Sequence, residues 1–289
     1  MSWILLLLGC TSGSQVVDTA PVEDTASSTP DWSQLAPTWT EEDVRTEVEA
    51  ALEYGLPRPE VICENLLDLL AYGDGDCPGH DDQISNTVWG LEGCTADSGY
   101  TYKGLLVYEE FLDWDDPFEF LLQSITIGDF QIIHHTGEIV LGGGNVDYER
   151  QLEAGQSSNQ QARSLIRGMW RDPLHTEPWL AAGISAYLSM LLESEPDGGV
   201  MMQLEGSLGI DEYYLYFDQL EFLSSDCGGT PRSGGIWIRQ PDSSWYQLTY
   251  DGSCGCPALT WNHTEVIGEA CVDTSSLYDH LLLSLGATF

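Results

Sequence analysis

The nine residues Asp74-Gly75-Asp76-Cys77-Pro78-Gly79-His80-Asp81-Asp82 set four carboxylates around a glycine-bearing loop. Carboxylate oxygens at that density are the hard ligands calcium takes, so Asp74, Asp76, Asp81 and Asp82 are candidate metal ligands. Their spacing departs from the EF-hand loop, which alternates its acids and closes on a distant Glu. The competing reading is a solvated turn after a helix. A softer set, Cys254-Gly255-Cys256 with Cys271 and His263, could serve zinc, but structural zinc sites separate paired cysteines by two to four residues. His134 and His135 end the run Gln131-Ile132-Ile133-His134-His135. In a strand, neighbouring side chains face opposite ways, so these two are expected not to share a site.

Patterns that would carry catalysis are missing from the sequence. There is no G-x-S-x-G nucleophile elbow, and Gly206-Ser207-Leu208-Gly209 does not match one. There is no His-Glu-x-x-His pair for a metalloprotease and no phosphate-cradling loop followed by Lys; Gly142-Gly143-Gly144 reads as a hairpin turn. Carboxylates are too numerous for any pair of them to indicate a glycosidase. No catalytic residue is assigned, and a secreted hydrolase is the weakest of the functional readings.

Thr40-Glu41-Glu42-Asp43 has capping-box spacing, and Val44, Val48, Ala51 and Leu52 follow at helical intervals until Gly55 and Pro57 end the element. A second amphipathic helix is expected from Pro59 through Val61, Cys63, Leu66, Leu67 and Leu70 to Gly73. From about Trp89 the period changes to two. Ile184, Ala186, Leu188, Met190 and Leu192 alternate with polar residues, and strands are also expected at Phe118 to Ile127, Glu138 to Leu141, Met202 to Ile210 and Tyr213 to Leu223. Turn residues such as Pro241-Asp242-Ser243-Ser244 separate them. The fold class is therefore mainly β: an antiparallel meander, a sandwich or a partly closed barrel of about ten strands, with two short N-terminal helices within 40–73 and a β-rich part over 84–289. Trp170, Trp179 and Tyr187 could line an apolar sheet surface for a small ligand, although such aromatics more often fill a core.

With Cys63 on a helix face, Cys77 and Cys94 remain as a pair that would clamp the end of the second helix onto the first hairpin. Cys227, Cys254, Cys256 and Cys271 allow three pairings. Joining Cys254 to Cys256 would close a very tight ring, which leaves Cys227–Cys254 with Cys256–Cys271, or the crossed alternative.

The run Trp3-Ile4-Leu5-Leu6-Leu7-Leu8 is too short to span a bilayer but suits the core of a signal peptide. It ends in Leu7-Leu8-Gly9-Cys10, which resembles a bacterial lipobox, so residues 1–10 are expected to be a leader ending at a lipidated Cys10. Two acyl chains hold a protein stably to a membrane. Thr11 rather than Asp follows Cys10, which by resemblance to diderm lipoproteins favours the outer membrane. Residues 11–37, rich in Ser, Thr, Pro and Asp, read as an acidic tether, with a single secreted domain over 38–289. Of the 289 residues, 47 are Asp or Glu and 9 are Lys or Arg, for a formal charge of -38. That field repels phosphate backbones, so nucleic acid is excluded as a partner.

The pattern Cys77-Pro78, Trp89, Gly93-Cys94-Thr95, Gly99 and Tyr102-Lys103-Gly104, followed by Trp245-Tyr246, Cys254-Gly255-Cys256, Gly268 and Cys271-Val272-Asp273, resembles a group of lipoproteins common in myxobacteria and related bacteria. The resemblance implies export, lipidation and disulfides; it carries no activity. The sequence therefore points to a cell-envelope lipoprotein, anchored to the membrane through its lipid, whose domain is a non-enzymatic structural or interaction module. The alternative is a protein that binds calcium or a small ligand.

Overall fold

Alternation of apolar and polar residues builds the architecture. A computed structural model of the chain describes residues 36–81, 86–113, 118–137, 139–153, 156–194, 199–240, 244–263 and 265–285. Cys10, all but the last two residues of the tether, and Asp82 lie outside the described residues, as do three of the four residues in the turn read at Pro241 to Ser244.

Thirteen strands follow one another: β1 (Gly79–Asp81), β2 (Asn86–Thr95), β3 (Thr101–Asp113), β4 (Phe118–Ile133), β5 (Ile139–Glu153), β6 (Gln156–Trp170), β7 (Ile184–Ser194), β8 (Val200–Ile210), β9 (Tyr213–Leu223), β10 (Ser233–Arg239), β11 (Trp245–Asp251), β12 (Ala258–Trp261) and β13 (Glu265–Glu269). Each pairs antiparallel with the next, in unbroken sequence order, with β1 at one edge and β13 at the other. Of the arrangements the sequence left open, the protein adopts the meander, not closed into a barrel. Every pairing joins strands that are neighbours in sequence, and antiparallel neighbours need no crossover connection.

One face of this sheet is the core. Leu188, Met190, Met202, Leu204, Leu208, Phe217, Leu220, Phe222, Ile236 and Leu248 are each at most 2% exposed, while their neighbours at odd offsets turn outward. Helix α1 (Glu41–Glu53) contributes Val44, Val48, Ala51 and Leu52 to the same cluster, and α2 (Pro59–Leu70) contributes Val61, Ile62, Cys63 and Leu66. The capping box is present: the Asp43 N–H donates to Thr40 Oγ1 at 3.2 Å and the Thr40 N–H donates to Asp43 Oδ2 at 2.8 Å. Those bonds hold the Asp43 carboxyl below the usual Asp range. Trp39 stacks on Tyr246 with ring centroids 5.3 Å apart, and the Tyr102 hydroxyl donates to the Leu69 carbonyl at 2.8 Å.

Several expectations need correcting. Helix α2 ends at Leu70, and Leu67 is 49% exposed because its position falls off the buried stripe. Two helices lie within the region read as β-rich: α3 (Pro178–Ala182) and α4 (Ser275–Ser284), the latter burying Leu277 and Leu281 one helical turn apart. Gly142-Gly143-Gly144 is no turn but part of β5, at an irregularity in its pairing with β4 and β6. The turn between β4 and β5 contains His134 and His135 instead, closed by the Gly137 N–H donating to the His134 carbonyl at 2.8 Å. Strand β1 and the number of strands were also missed, since a three-residue strand carries no readable period.

Candidate functional site

Three disulfides are formed: Cys77–Cys94, Cys227–Cys254 and Cys256–Cys271. The uncrossed pairing is therefore the one present, and Cys63 is a buried thiol on the inner face of α2. The bridges remove the thiolates that a zinc reading needs, and His263 packs instead on Trp237 at 4.3 Å between centroids. Among the described residues one trio of ligand types converges, Asp226 with Cys227 and Cys254, and its two sulfurs are bonded to each other.

Asp74 has a structural task. Its Oδ1 accepts the N–H of Asp76 at 3.0 Å and of Cys77 at 2.9 Å, while Oδ2 accepts the N–H of Asp97 at 2.9 Å. These three donors hold its carboxyl below the usual Asp range, and they tie the loop after α2 to the turn between β2 and β3. Asp76 is exposed in that loop and Asp81 lies on β1. His134 and His135, expected to point apart, have ring centroids 3.8 Å from each other because they sit in a turn and not in a strand. Both lie edge-on to Tyr100, which stacks on Tyr72 at 4.6 Å. Trp170 and Trp179 are 2% and 1% exposed, whereas Tyr187 is 54% exposed on the other face, so the three share no surface.

The feature that the sequence did not reveal lies on the outward face. A groove of about 530 Å³ crosses β6 to β10, lined by Arg163, Ser189, Leu191, Gln203, Glu205, Gln219, Glu221 and Ser233. The pairing explains why they meet. Arg163 is opposite Leu191, Leu191 opposite Gln203, Gln203 opposite Glu221, and Glu221 opposite Ser233, which makes one row straight across five strands. Ser189 and Glu205 form the row beside it. A third row follows: Arg167, Tyr187, Ser207, Tyr216, Trp237.

Backbone irregularities mark this floor. The pairing of β8 with β9 shifts between Leu204 and Gly206, and that of β9 with β10 shifts between Ser233 and Gly235. Gly206, Gln219 and Gly234, on three adjacent strands, have φ of 120°, 45° and 91°. A Cβ on Gly206 would lie 1.9 Å from the Tyr187 carbonyl oxygen, and one on Gly234 would lie 2.2 Å from that of Gln219, so only glycine fits at either. Bulges bend a strand and re-aim its side chains. Here the bulge lets Gln219 point outward next to Asp218 while Leu220 returns to the core. Gln219 has a Cβ, and the left-handed conformation costs such a residue about 1–2 kcal/mol. Strain of this kind, held by surrounding structure, is typical of functional sites.

The lining chemistry is mixed. Gln203 and Gln219 offer amides that donate and accept, Glu205 and Glu221 accept, Ser189 and Ser233 do both, and Arg163 donates. Burial raises the Tyr216 phenol above the ordinary tyrosine value, with the Asp218 and Glu205 carboxylates pushing the same way. Tyr216 thus stays a protonated donor at neutral pH. Its ring packs on Trp237 at 5.4 Å, Trp237 on Trp245 at 6.2 Å, and Tyr214 on Trp245 at 5.7 Å. The Arg167 guanidinium covers Tyr187 at 4.7 Å and that of Arg239 covers Trp245 at 5.9 Å. No histidine or cysteine lines the groove, and the bases beside Ser189 and Ser233 are the Glu205 and Glu221 carboxylates. Its mixed donors and acceptors suit a polar ligand.

No family model, curated protein or solved structure matches the chain. The functional reading therefore rests on the chain's own residues. No helix among the described residues is long and apolar enough to cross a membrane.

The signal that could have located the groove was slight. Isolated glycines inside period-two runs, such as Gly206 and Gly234, suggest bulges, but Gln219 carries no mark of its left-handed backbone.

Proposed function

We propose that this chain is an exported, lipid-anchored protein of the cell envelope whose domain is a non-catalytic binding module acting through the bulged groove on the outward sheet face. The observation that carries the reading is the coincidence of three positive-φ residues on adjacent strands with a polar groove beside an aromatic row. Such a concave site with a few convergent polar groups is the usual form of a binding surface. The lipobox-like Leu7-Leu8-Gly9-Cys10, the acidic tether of residues 11–37 and three disulfides support placement outside the cytoplasm, as does the resemblance to myxobacterial lipoproteins. Outer-membrane anchoring at Cys10 would hold the groove-bearing domain in the cell envelope.

A two-by-two comparison tests this. One axis replaces residues 1–10 by a cleavable leader for soluble export; the other combines Glu205→Ala with Gln219→Gly. The native chain should sediment with isolated envelopes and incorporate a labelled fatty acid. The unanchored chain should take up no label yet be retained in part through its groove, and the unanchored groove variant should be soluble. Acylation absent from the native chain would overturn the anchor, and equal retention of the two unanchored chains would overturn the groove.

A further inference from the structure

On the reading that the groove is a binding site, we propose that its ligand is a sugar chain without negative charge, lying across β6 to β10 with its rings against Tyr187 and Tyr216. Three observations converge on that class. First, the groove presents side chains that both donate and accept: Gln203, Gln219, Ser189 and Ser233 with Glu205, Glu221 and Arg163. A ligand whose every substituent is itself a donor and an acceptor, as a hydroxyl is, satisfies such a mixed set, whereas an anion or a purely apolar molecule does not. Second, the row bordering the groove carries exposed or half-exposed rings. Tyr187 and Tyr216 face outward with Ser207 between them. Strands lie about 4.7–4.9 Å apart, so these rings stand roughly two strand spacings from one another, a separation that lets alternate rings of a sugar chain meet the two tyrosines while the ring between them passes over Ser207. The C–H faces of a pyranose are apolar while its edges are polar, which matches an aromatic strip beside a polar trough. Third, charge sets the sign. Glu205 and Glu221 line the trough against the single cation Arg163, Asp218 stands near Tyr216, and the chain carries a formal charge of -38. An anionic polymer would be repelled, and a neutral or amino-bearing chain would not.

The straight register of the row Arg163, Leu191, Gln203, Glu221 and Ser233 across five strands suits an extended polymer lying perpendicular to the strands. Gln219 is the residue the backbone distorts to present: at φ 45° it leaves the alternation of β9 and reaches the trough.

Titration calorimetry of the full chain in a detergent without a sugar headgroup tests the assignment. Chitohexaose represents an N-acetylated wall-type chain, cellohexaose a plain glucan, a glucosamine hexamer an amino-bearing chain, a galacturonate hexamer the anionic class, and hexalysine a cationic peptide. At least one of the first three should bind saturably, at least tenfold more tightly than the galacturonate. Tyr187→Ala and Gln219→Gly should each weaken it at least tenfold. Gln219→Gly is the variant that guards against mere unfolding, because glycine accepts the observed backbone and should leave the melting temperature unchanged or higher. Which of the three uncharged or amino-bearing chains binds best distinguishes a wall-type from a glucan source. Binding of hexalysine alone, binding of galacturonate as tight as the others, absence of binding by all the sugars, or binding indifferent to both variants would each overturn the sugar assignment. Groove-dependent retention on envelopes would still stand in the first three cases, so failure of the ligand class is separable from failure of the binding reading.

Discussion

Asp74 shows how one carboxylate can look like a metal ligand in sequence and act as a clamp in space. Its two oxygens already accept three backbone N–H groups, so a calcium ion would have to compete with bonds that order the loop. Thermal unfolding in calcium should match that in the same concentration of magnesium. A calcium-specific rise that Asp74→Asn abolishes would restore Asp74, Asp76, Asp81 and Asp82 as a site. His280 on α4 gives a second outcome at this scale. Burial against Gly55 pushes its pKa below the ordinary histidine value, partly offset by Asp279 and Glu177 and reinforced by Arg58. A depressed histidine pKa means that the unfolded chain takes up the proton first, so stability is full above the unfolded value of about 6.5 and falls as pH drops below it. The melting temperature should therefore decline between pH 7.5 and 5.5, a window above the ordinary carboxylate range, and His280→Phe should flatten that slope. An unaltered slope would assign the dependence elsewhere.

At the scale of strands, irregularity carries more information than regularity. Strands β7, β8 and β9 were legible because apolar residues recur at every second position and bury against the helices. Helix α4 was not, because the run Leu281-Leu282-Leu283 masks the helical spacing of Leu277 and Leu281. The groove was illegible for a different reason: Ser189, Gln203, Glu205 and Glu221 occupy outward positions where polar residues are expected in any case, and only pairing across strands brings them into one trough. Bulges decide its shape. Gly206→Ala places a Cβ against the Tyr187 carbonyl oxygen at an angle closed to other residues, and should lower stability by about 1–3 kcal/mol in denaturant unfolding. A neutral effect would mean that the β8 bulge is not required.

The whole molecule has two unlike sheet faces. Among the described residues the inner one packs with α1, α2 and α4 in a single apolar cluster. The outer one keeps Met169, Tyr187 and Tyr214 exposed at 61%, 54% and 37% beside the polar trough. A formal charge of -38 opposes association of such a surface with copies of itself or with anionic polymers. Composition made that charge plain from the start; it could not say which face stayed open. Hydroxyl-radical footprinting of the chain in intact cells, set against the purified protein, tests the central claim whatever the ligand proves to be. Met169, Tyr187 and Tyr214 should be protected several-fold in cells while Tyr72, 51% exposed beyond the end of α2, is modified equally in both. Equal modification of all four would contradict the claim that the outward face is occupied in the envelope.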